Sequence, residues 1–328
     1  MILAGDIGGT NARLAFFTIE GGRLKPQAEH VYPSHRYPGL EPIVREFVSG
    51  HGLKPRHACF AVAGPVAHGR AEMPNLGWVV EAGALARALG VESAGLINDL
   101  EANAYGIAAL EPGDFAILNA GASDASGNAA VIAAGTGLGE AGLYWDGKTH
   151  RPFACEGGHA DFAPLDDLQI ELGRRLRAEF GRVSWERVLS GPGLFNIYRF
   201  LRDTGRGQEP DWLAAELAAG DPSVHVSKAG LAGRSALCVE ALDIFVSIYG
   251  AEAGNLALKI MATGGVYLGG GIAPKILTKL AQPAFMKAFS AKGRMRHLLA
   301  SIPVKVILND SAALIGAARC AAIGASLL

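Results

Sequence analysis

GDIGGTNARLA, Gly5 to Ala15, follows only four residues of chain. The apolar run Ile2-Leu3-Ala4 before it reads as a strand. Residues 6–11 read as a tight turn, and Ala12 to Ile19 (ARLAFFTI), rich in apolar and aromatic side chains, as a second strand. The whole is a hairpin closed by glycines. It is not a Walker A loop, because GxxxxGKS or GxxxxGKT is missing and no helix follows. Two readings of the turn stay open on these residues alone. Asp and Gly are ordinary turn formers. Equally, glycines let successive backbone N–H groups approach an anion, and Thr10 and Asn11 add side-chain donors. Asp6 would repel a phosphate but suits a magnesium ion or its bound water.

A second glycine cluster weights the choice. Ala129 to Ala134 (AAVIAA) reads as a buried strand, Gly135-Thr136-Gly137-Leu138-Gly139 follows, and Glu140 to Trp145 (EAGLYW) reads as another strand ending at the hairpin turn signal Asp146-Gly147. GDIGGTNARLAFF and AAGTGLGEAGLYW are therefore a weak internal repeat, with one candidate phosphate turn in each half. Residues 137–142 also match the dinucleotide spacing GxGxxG, but that fingerprint needs a helix to open in the loop, and here a strand follows. A third cluster, Gly264 to Ile272 (GGVYLGGGI), sets a strand between two glycine bends. Bare backbone there suits a flat base and ribose, or else simply packs closely.

The composition sets the bounds. The 328 residues are half apolar and 19% charged, enough for buried cores and too little charge for disorder. At about 150 residues per domain the length points to two domains. A net charge of -1 and a pI near 6.8 come with no basic patch, so nucleic acid is not an expected partner. Cys59, Cys155, Cys238 and Cys320 lie far apart without a CxxC pair, which argues against a zinc site or a disulfide framework. No basic segment leads into an apolar core at the N-terminus, and no clean apolar run of about 18 residues occurs. A cytoplasmic protein with no membrane partner is expected.

Two further stretches carry candidate chemistry. Ala94 to Ile97 reads as a strand end and Leu100 to Leu110 as a helix, so Asn98 and Asp99 fall at a strand-to-helix junction, where α/β proteins gather ligands. Asn98-x-x-Glu101 is also a capping box. The two readings coexist: Asn98 caps while Asp99 points into a cleft, where an ionised Asp could orient a hydroxyl and take its proton, as the catalytic-loop Asp of protein kinases does. Glu156-Gly157-Gly158-His159-Ala160-Asp161 sets acids and an imidazole among glycines. A metal site is one reading, but no HExxH or histidine cluster accompanies it, and carboxylates with a histidine suit sugar hydroxyls better. Glu186, after Ser184, reads from spacing alone as a helix-start acid.

Taken in order, GDIGGTNARLA (5–15), INDLEANAYG (97–106), AAGTGLG (133–139), EGGHADFAP (156–164), ERVLSGPGL (186–194), GNLAL (254–258) and GGVYLGGGI (264–272) resemble the bacterial glucokinases of the actin-like ATPase and sugar kinase superfamily over nearly the whole length. The chain lacks the cysteine-rich zinc motif that the broader repressor and kinase group usually carries after the substrate loop. The resemblance implies an α/β fold of two ribonuclease H-like domains flanking a deep active-site cleft, with residues 1–109 and 310–328 in a small domain and 110–309 in a large one. It implies an ATP-dependent kinase of glucose, a magnesium cofactor and a homodimer. Gly5, Asp6, Ile7, Gly8, Gly9, Thr10 and Asn11 resemble the first phosphate element, with Asp6 serving the magnesium. Gly135, Thr136, Gly137 and Gly139 resemble the second, and Gly265 and Gly270 belong to the adenosine element. Asp99 resembles the base. Asn98, Glu156, His159 and Glu186 resemble the sugar-binding set, together with Asn75 in MPNLGW (73–78), where the family wording is closer to TNxxW.

Other expectations follow. A kinase of another hexose, or a non-catalytic sugar sensor, would share the fold; the sensor would show itself by loss of Asp99 or of a phosphate turn, and both are present. Residues 310–328 (DSAALIGAARCAAIGASLL) read as a buried helix capped by Asn309 or Asp310. The resemblance places this helix against the small domain, with a glycine hinge around Gly106 and Gly316 and closure on sugar that excludes water. Residues 204–227 read as a polar surface excursion with one short helix.

Overall fold

The GDIGGTNARLA hairpin is the centre of a five-stranded sheet in the computed structural model, which describes residues 1–328. The chain divides into two compact units, the first comprising Met1–Asp114, Arg151–Ala154 and Asn309–Leu328, the second Phe115–His150 and Cys155–Leu308. Strands of the first unit are β1 (Ile2–Ile7), β2 (Asn11–Glu20), β3 (Arg23–Pro33), β4 (His57–Val62), β5 (Val66–Ala67), β6 (Arg70–Met73), β7 (Trp78–Glu81) and β8 (Ser93–Asn98). Its main sheet has the order β3-β2-β1-β4-β8; β5-β6-β7 form a small sheet of their own. β1 to β3 are antiparallel, and β4 and β8 run parallel to β1.

β1 is apolar almost throughout, as a strand covered on both faces must be. Its side chains alternate between two cores. Leu3 and Ile7 meet Phe16, Phe60 and the helix Leu40–His51 through Ile43, Val44 and Phe47. Ile2 and Ala4 face Phe17, Cys59 and the helix Ala312–Gly324. That last helix packs against the helix Asp99–Ile107 at two glycines. A Cβ on Gly106 would collide with the backbone of Ala312, and one on Gly316 with the backbone of Ala102. These glycines are therefore demanded by a close helix crossing. Neither Asn309 nor Asp310 is the cap of the last helix: Ser311 holds that position, and Asn309 Oδ1 accepts from the Ser311 N–H at 2.9 Å.

The second sheet holds β9 (Phe115–Asn119), β10 (Ala129–Ala134), β11 (Leu138–Trp145), β12 (His150–Cys155), β13 (Gly265–Gly269) and β14 (Val304–Ile307), in the order β12-β11-β10-β13-β14-β9; all but Arg151–Ala154 of β12 belong to the second unit. β11 is antiparallel to β10, while β13 and β14 run parallel to it. Apart from the edge strand β9, this is the order and direction of the first sheet, so the weak sequence repeat marks the same hairpin in two copies of one topology. β11 follows the 135–137 turn directly, so the GxGxxG match opens no helix.

The helix Ala236–Ile260 runs through the core of this unit and is apolar on most of its surface, as a buried helix is. Residues 204–227 lie mostly at the surface, but carry two helices rather than the one expected, Asp211–Ala219 and Pro222–Leu231, which anchor in the main core through Leu213, Val226 and, beyond the segment, Ala229. Asp221 caps the second through the Ser223 N–H at 2.9 Å, and Pro222 occupies its first position, where a missing N–H costs nothing. The four cysteines are free.

Candidate active site

In the first unit the pairing Ile7↔Val62↔Asn98 brings the carboxyl ends of β1, β4 and β8 side by side, the place where open α/β sheets bind ligands. The Gly8 N–H donates to Asn11 O at 2.9 Å and closes the first turn. Ser34 pins it from outside, its hydroxyl donating to Gly8 O at 2.9 Å and its N–H to Thr10 O at 2.9 Å. Gly9 faces open space and Thr10 is exposed. Gly5 and Ile7 are strand residues whose outward faces meet the core: a Cβ at Gly5 would lie 2.6 Å from Phe60 Cδ1.

Asn98 ends β8 and caps the helix after it. Its Oδ1 accepts from the N–H groups of Leu100 at 2.8 Å and Glu101 at 3.4 Å, and its Nδ2 donates to Gly64 O at 3.1 Å. Asp99 is the first helical residue; its Oδ1 accepts from the Leu100 N–H at 3.0 Å, and Asn103 Nδ2 donates to its carbonyl at 2.9 Å. A carboxylate at a helix N-terminus is favoured by the helix dipole. Asn75 stands exposed on the turn between β6 and β7.

Asp6 pairs across the hairpin with Arg13. Burial pushes the Asp6 carboxyl up, the Arg13 guanidinium pulls it down, and Asp310 adds to the rise. Arg13 bonds Asp310 Oδ2 at 3.3 Å and Ser311 Oγ at 3.0 Å, and this bond holds Asp310 below its ordinary range. Arg13 and Asp310 were absent from the expected set. The alternation of the hairpin, counted back from Gly8-Gly9, pairs Arg13 with Asp6; Asp310 gave no signal beyond a helix start.

In the second unit the 135–137 turn sits at the carboxyl end of β10. Gly135 N–H donates to Gly137 O at 2.8 Å, and Gly135 O accepts from the Gly191 N–H at 2.8 Å. Glu186 is not merely a helix-start acid. Its Oε2 accepts from the Leu138 N–H at 3.0 Å and stands 2.5 Å from where a Cβ on Gly137 would lie. Glu156 and His159 flank a short 3₁₀ turn with Oε2 and Nε2 4.0 Å apart, each side chain 58% exposed. The Trp185 N–H donates to Ala160 O at 3.0 Å, so the stretches 156–160 and 184–187 lie together. Gly270, with φ +76°, leaves β13 where a Cβ would lie 2.5 Å from Ala134 O, and the Ile272 N–H donates to that same carbonyl at 3.2 Å. Gly270 is thus brought beside the second turn. Gly265 is not: it lies at the amino end of β13, against Pro303. Gly139 lies within β11, opposite Ala133.

Two sheets that share one five-strand topology, the second with β9 added at its edge, each with a glycine turn at the carboxyl end of its central strand, define the fold of the actin-like ATPases. Residues 3–323 match the family model described as Glucokinase. A glucokinase of Nostoc sp. is 44% identical, the alignment covering 98% of this chain and 99% of the relative. The crystal structure of a glucokinase from an Antarctic psychrotroph is 33% identical with a TM-score of 0.84, covering 98% of both chains. A ROK family glucokinase from Streptomyces griseus, solved in complex with glucose and AMPPNP, shares the fold with a TM-score of 0.65 at 22% identity, over 98% of this chain and 99% of that one. The chain belongs to the glucokinase family, and its activity is that of an ATP-dependent sugar kinase. No helix is long and apolar enough to cross a membrane.

Proposed function

We propose that the chain transfers the terminal phosphoryl group of ATP to the 6-hydroxyl of D-glucose, with Asp99 taking the hydroxyl proton. The observation that supports this most is the position of Asp99. It is an acid at the carboxyl end of a parallel strand, one strand removed from the glycine turn that ends β1, and its backbone is fixed by the Asn98 cap and by Asn103. Phosphoryl transfer demands positioning and charge neutralisation more than covalent chemistry. Asp99 accepts a hydrogen bond from the hydroxyl, orients it and takes its proton as the new O–P bond forms; the bond from phosphorus to the bridging oxygen breaks, and ADP leaves.

Backbone N–H groups of Gly9 and Thr10 and of Thr136 and Gly137 hold phosphate oxygens, on turns closed by the Gly8 and Gly135 N–H groups, and bare backbone at Gly270 and Gly271 admits the adenosine. Asn75, Asn98, Glu156, His159 and Glu186 meet the sugar hydroxyls. Magnesium, held largely by nucleotide phosphates and water, needs only one or two carboxylates. Asp6 fits it, an acid partly removed from water with a second acid, Asp310, nearby, and the ion would neutralise charge on the phosphates.

A coupled assay of ADP release with ATP, magnesium and glucose, mannose, fructose or N-acetylglucosamine tests the reading. Glucose is expected to be preferred by a wide margin. Preference for another hexose would move the specificity, and no turnover on any sugar would overturn the reading. Asp99→Asn is expected to keep glucose binding and to lose turnover by at least ~100-fold; full activity would remove Asp99 as the base.

A further inference from the structure

Beneath the Glu156–His159 turn lie two glutamates that the phosphoryl transfer does not use. Glu140 on β11 is 1% exposed, and Glu252, midway along the helix Ala236–Ile260, is 0% exposed. Buried charges persist only when paired. Glu252 is paired: Lys259 Nζ lies 3.0 Å from its Oε1, and Asn255 Nδ2 donates to its Oε2 at 2.8 Å. Lys292 Nζ steadies Asn255, donating to its Oδ1 at 2.6 Å. Glu140 has no such support, and its Oε1 is buried with no hydrogen-bond donor facing it. Two carboxyls side by side bond to each other only when one carries a proton. Lys259 and Asn255 already meet the Glu252 carboxyl, and nothing meets Glu140 Oε1, so the proton belongs on Glu140. Burial pushes the Glu140 carboxyl up to about 8, with the Glu252 charge adding and Lys259 opposing.

The pair touches the site through backbone. The Glu140 carboxyl fills the space beside Gly157, where no Cβ would fit, and Gly158 packs as closely on the Leu138 carbonyl. The Leu138 N–H is the one that donates to Glu186. Besides Glu252, Lys259 and Lys292, the titratable groups around Glu140 are Cys155 and Glu156 at the end of β12, and Tyr249, whose hydroxyl donates to Ile132 O at 3.2 Å.

We propose that Glu140 is a positioning residue: through the proton it shares with Glu252 it holds the Glu156–His159 turn in its sugar-binding form, and loss of that proton weakens sugar binding while leaving phosphoryl transfer itself intact. The inference rests on the reading of that turn as sugar-binding. A second negative charge beneath Gly157 would have no donor to meet it, and the backbone above is the part free to yield.

The test is glucose affinity by calorimetry without nucleotide, together with kcat and KM, from about pH 6 to about pH 9. Wild type is expected to lose ~5-fold or more in affinity between about pH 7 and about pH 9, with kcat little changed. Glu140→Gln keeps the shape and donor of the neutral acid; it is expected to bind like wild type at neutral pH and to lose the alkaline fall. Glu252→Gln removes the neighbouring charge, lets Glu140 ionise sooner and shifts the fall to lower pH. A wild type without the fall, or the same fall in Glu140→Gln, overturns the coupling. Glu156→Gln, measured alongside, separates the two claims: unchanged glucose affinity there overturns the sugar-binding reading of the turn instead.

Discussion

Gly270 and Gly271 are adjacent in sequence and opposite in what they tolerate. Gly270 has φ +76° and a Cβ position 2.5 Å from Ala134 O, while Gly271 faces open space with no left-handed backbone. Gly270→Ala is expected to cost about 1–3 kcal/mol by strain at that backbone conformation, and Gly271→Ala to stay within ~0.5 kcal/mol, both read from urea unfolding. Equal effects would remove the argument. From the sequence the GGG run shows only that something there needs glycine. Which glycine it is depends on the Ala134 carbonyl, far away in the chain. Gly265, which the resemblance places with Gly270 in the adenosine element, lies at the other end of β13 against Pro303. Glu140 and Glu252 had a partial signal, each an acid within an otherwise apolar segment. Their partnership is tertiary and left no trace in spacing.

Elements whose boundaries are set by local chemistry were legible. The Asn98 cap is as the Asn98-x-x-Glu101 spacing implies, with Oδ1 accepting two helix N–H groups. The strand, turn and strand of each phosphate hairpin follow from apolar runs flanking glycines. What was misread depends on packing between elements. The helices after residue 210 carry a mixed pattern; Pro222–Leu231 packs on the long helix Ala236–Ile260, and Asp211–Ala219 packs on Pro222–Leu231. Gly106 and Gly316, which the resemblance sets at a hinge, lie at a close helix crossing that sequence spacing does not show. Gly316→Val is therefore expected to destabilise the first unit by about 1–3 kcal/mol through overpacking against Ala102. Gly50, on the helix Leu40–His51 with no atom within 4 Å of its Cβ position, is the control: Gly50→Ala should be neutral or slightly stabilising. Thermal unfolding of both variants measures this; a Gly316→Val protein as stable as wild type would mean that the crossing yields freely.

Across the whole molecule, duplication of one sheet explains why the glycine motifs recur, and it also accounts for the unequal placement of buried acid. In the first unit the acids near the turn have a cation: Arg13 is ion-paired with Asp310, and its charge pulls the Asp6 carboxyl down. In the second, Glu140 sits three residues past Gly137 and shares a proton instead. An acid whose folded pKa is raised keeps a proton that the unfolded chain has already lost. Its contribution to stability is complete below the ordinary carboxylate value and disappears as pH rises through the folded value. Burial raises Glu101 in this way and raises Glu140 most, from 4.5 to about 8. Asp221, lowered by its Ser223 bond, and Asp310, lowered by Arg13, act oppositely, losing their contribution only as pH falls below the ordinary 3.8. The melting temperature is therefore expected to decline from about pH 6 to about pH 8. Glu140→Gln, which cannot lose a proton, should show a decline at least ~2 °C smaller over that interval, since about 2–4 °C corresponds to each kcal/mol in larger domains. Calorimetric scans of both proteins at matched ionic strength decide it, and parallel declines would mean that Glu140 does not titrate in this range.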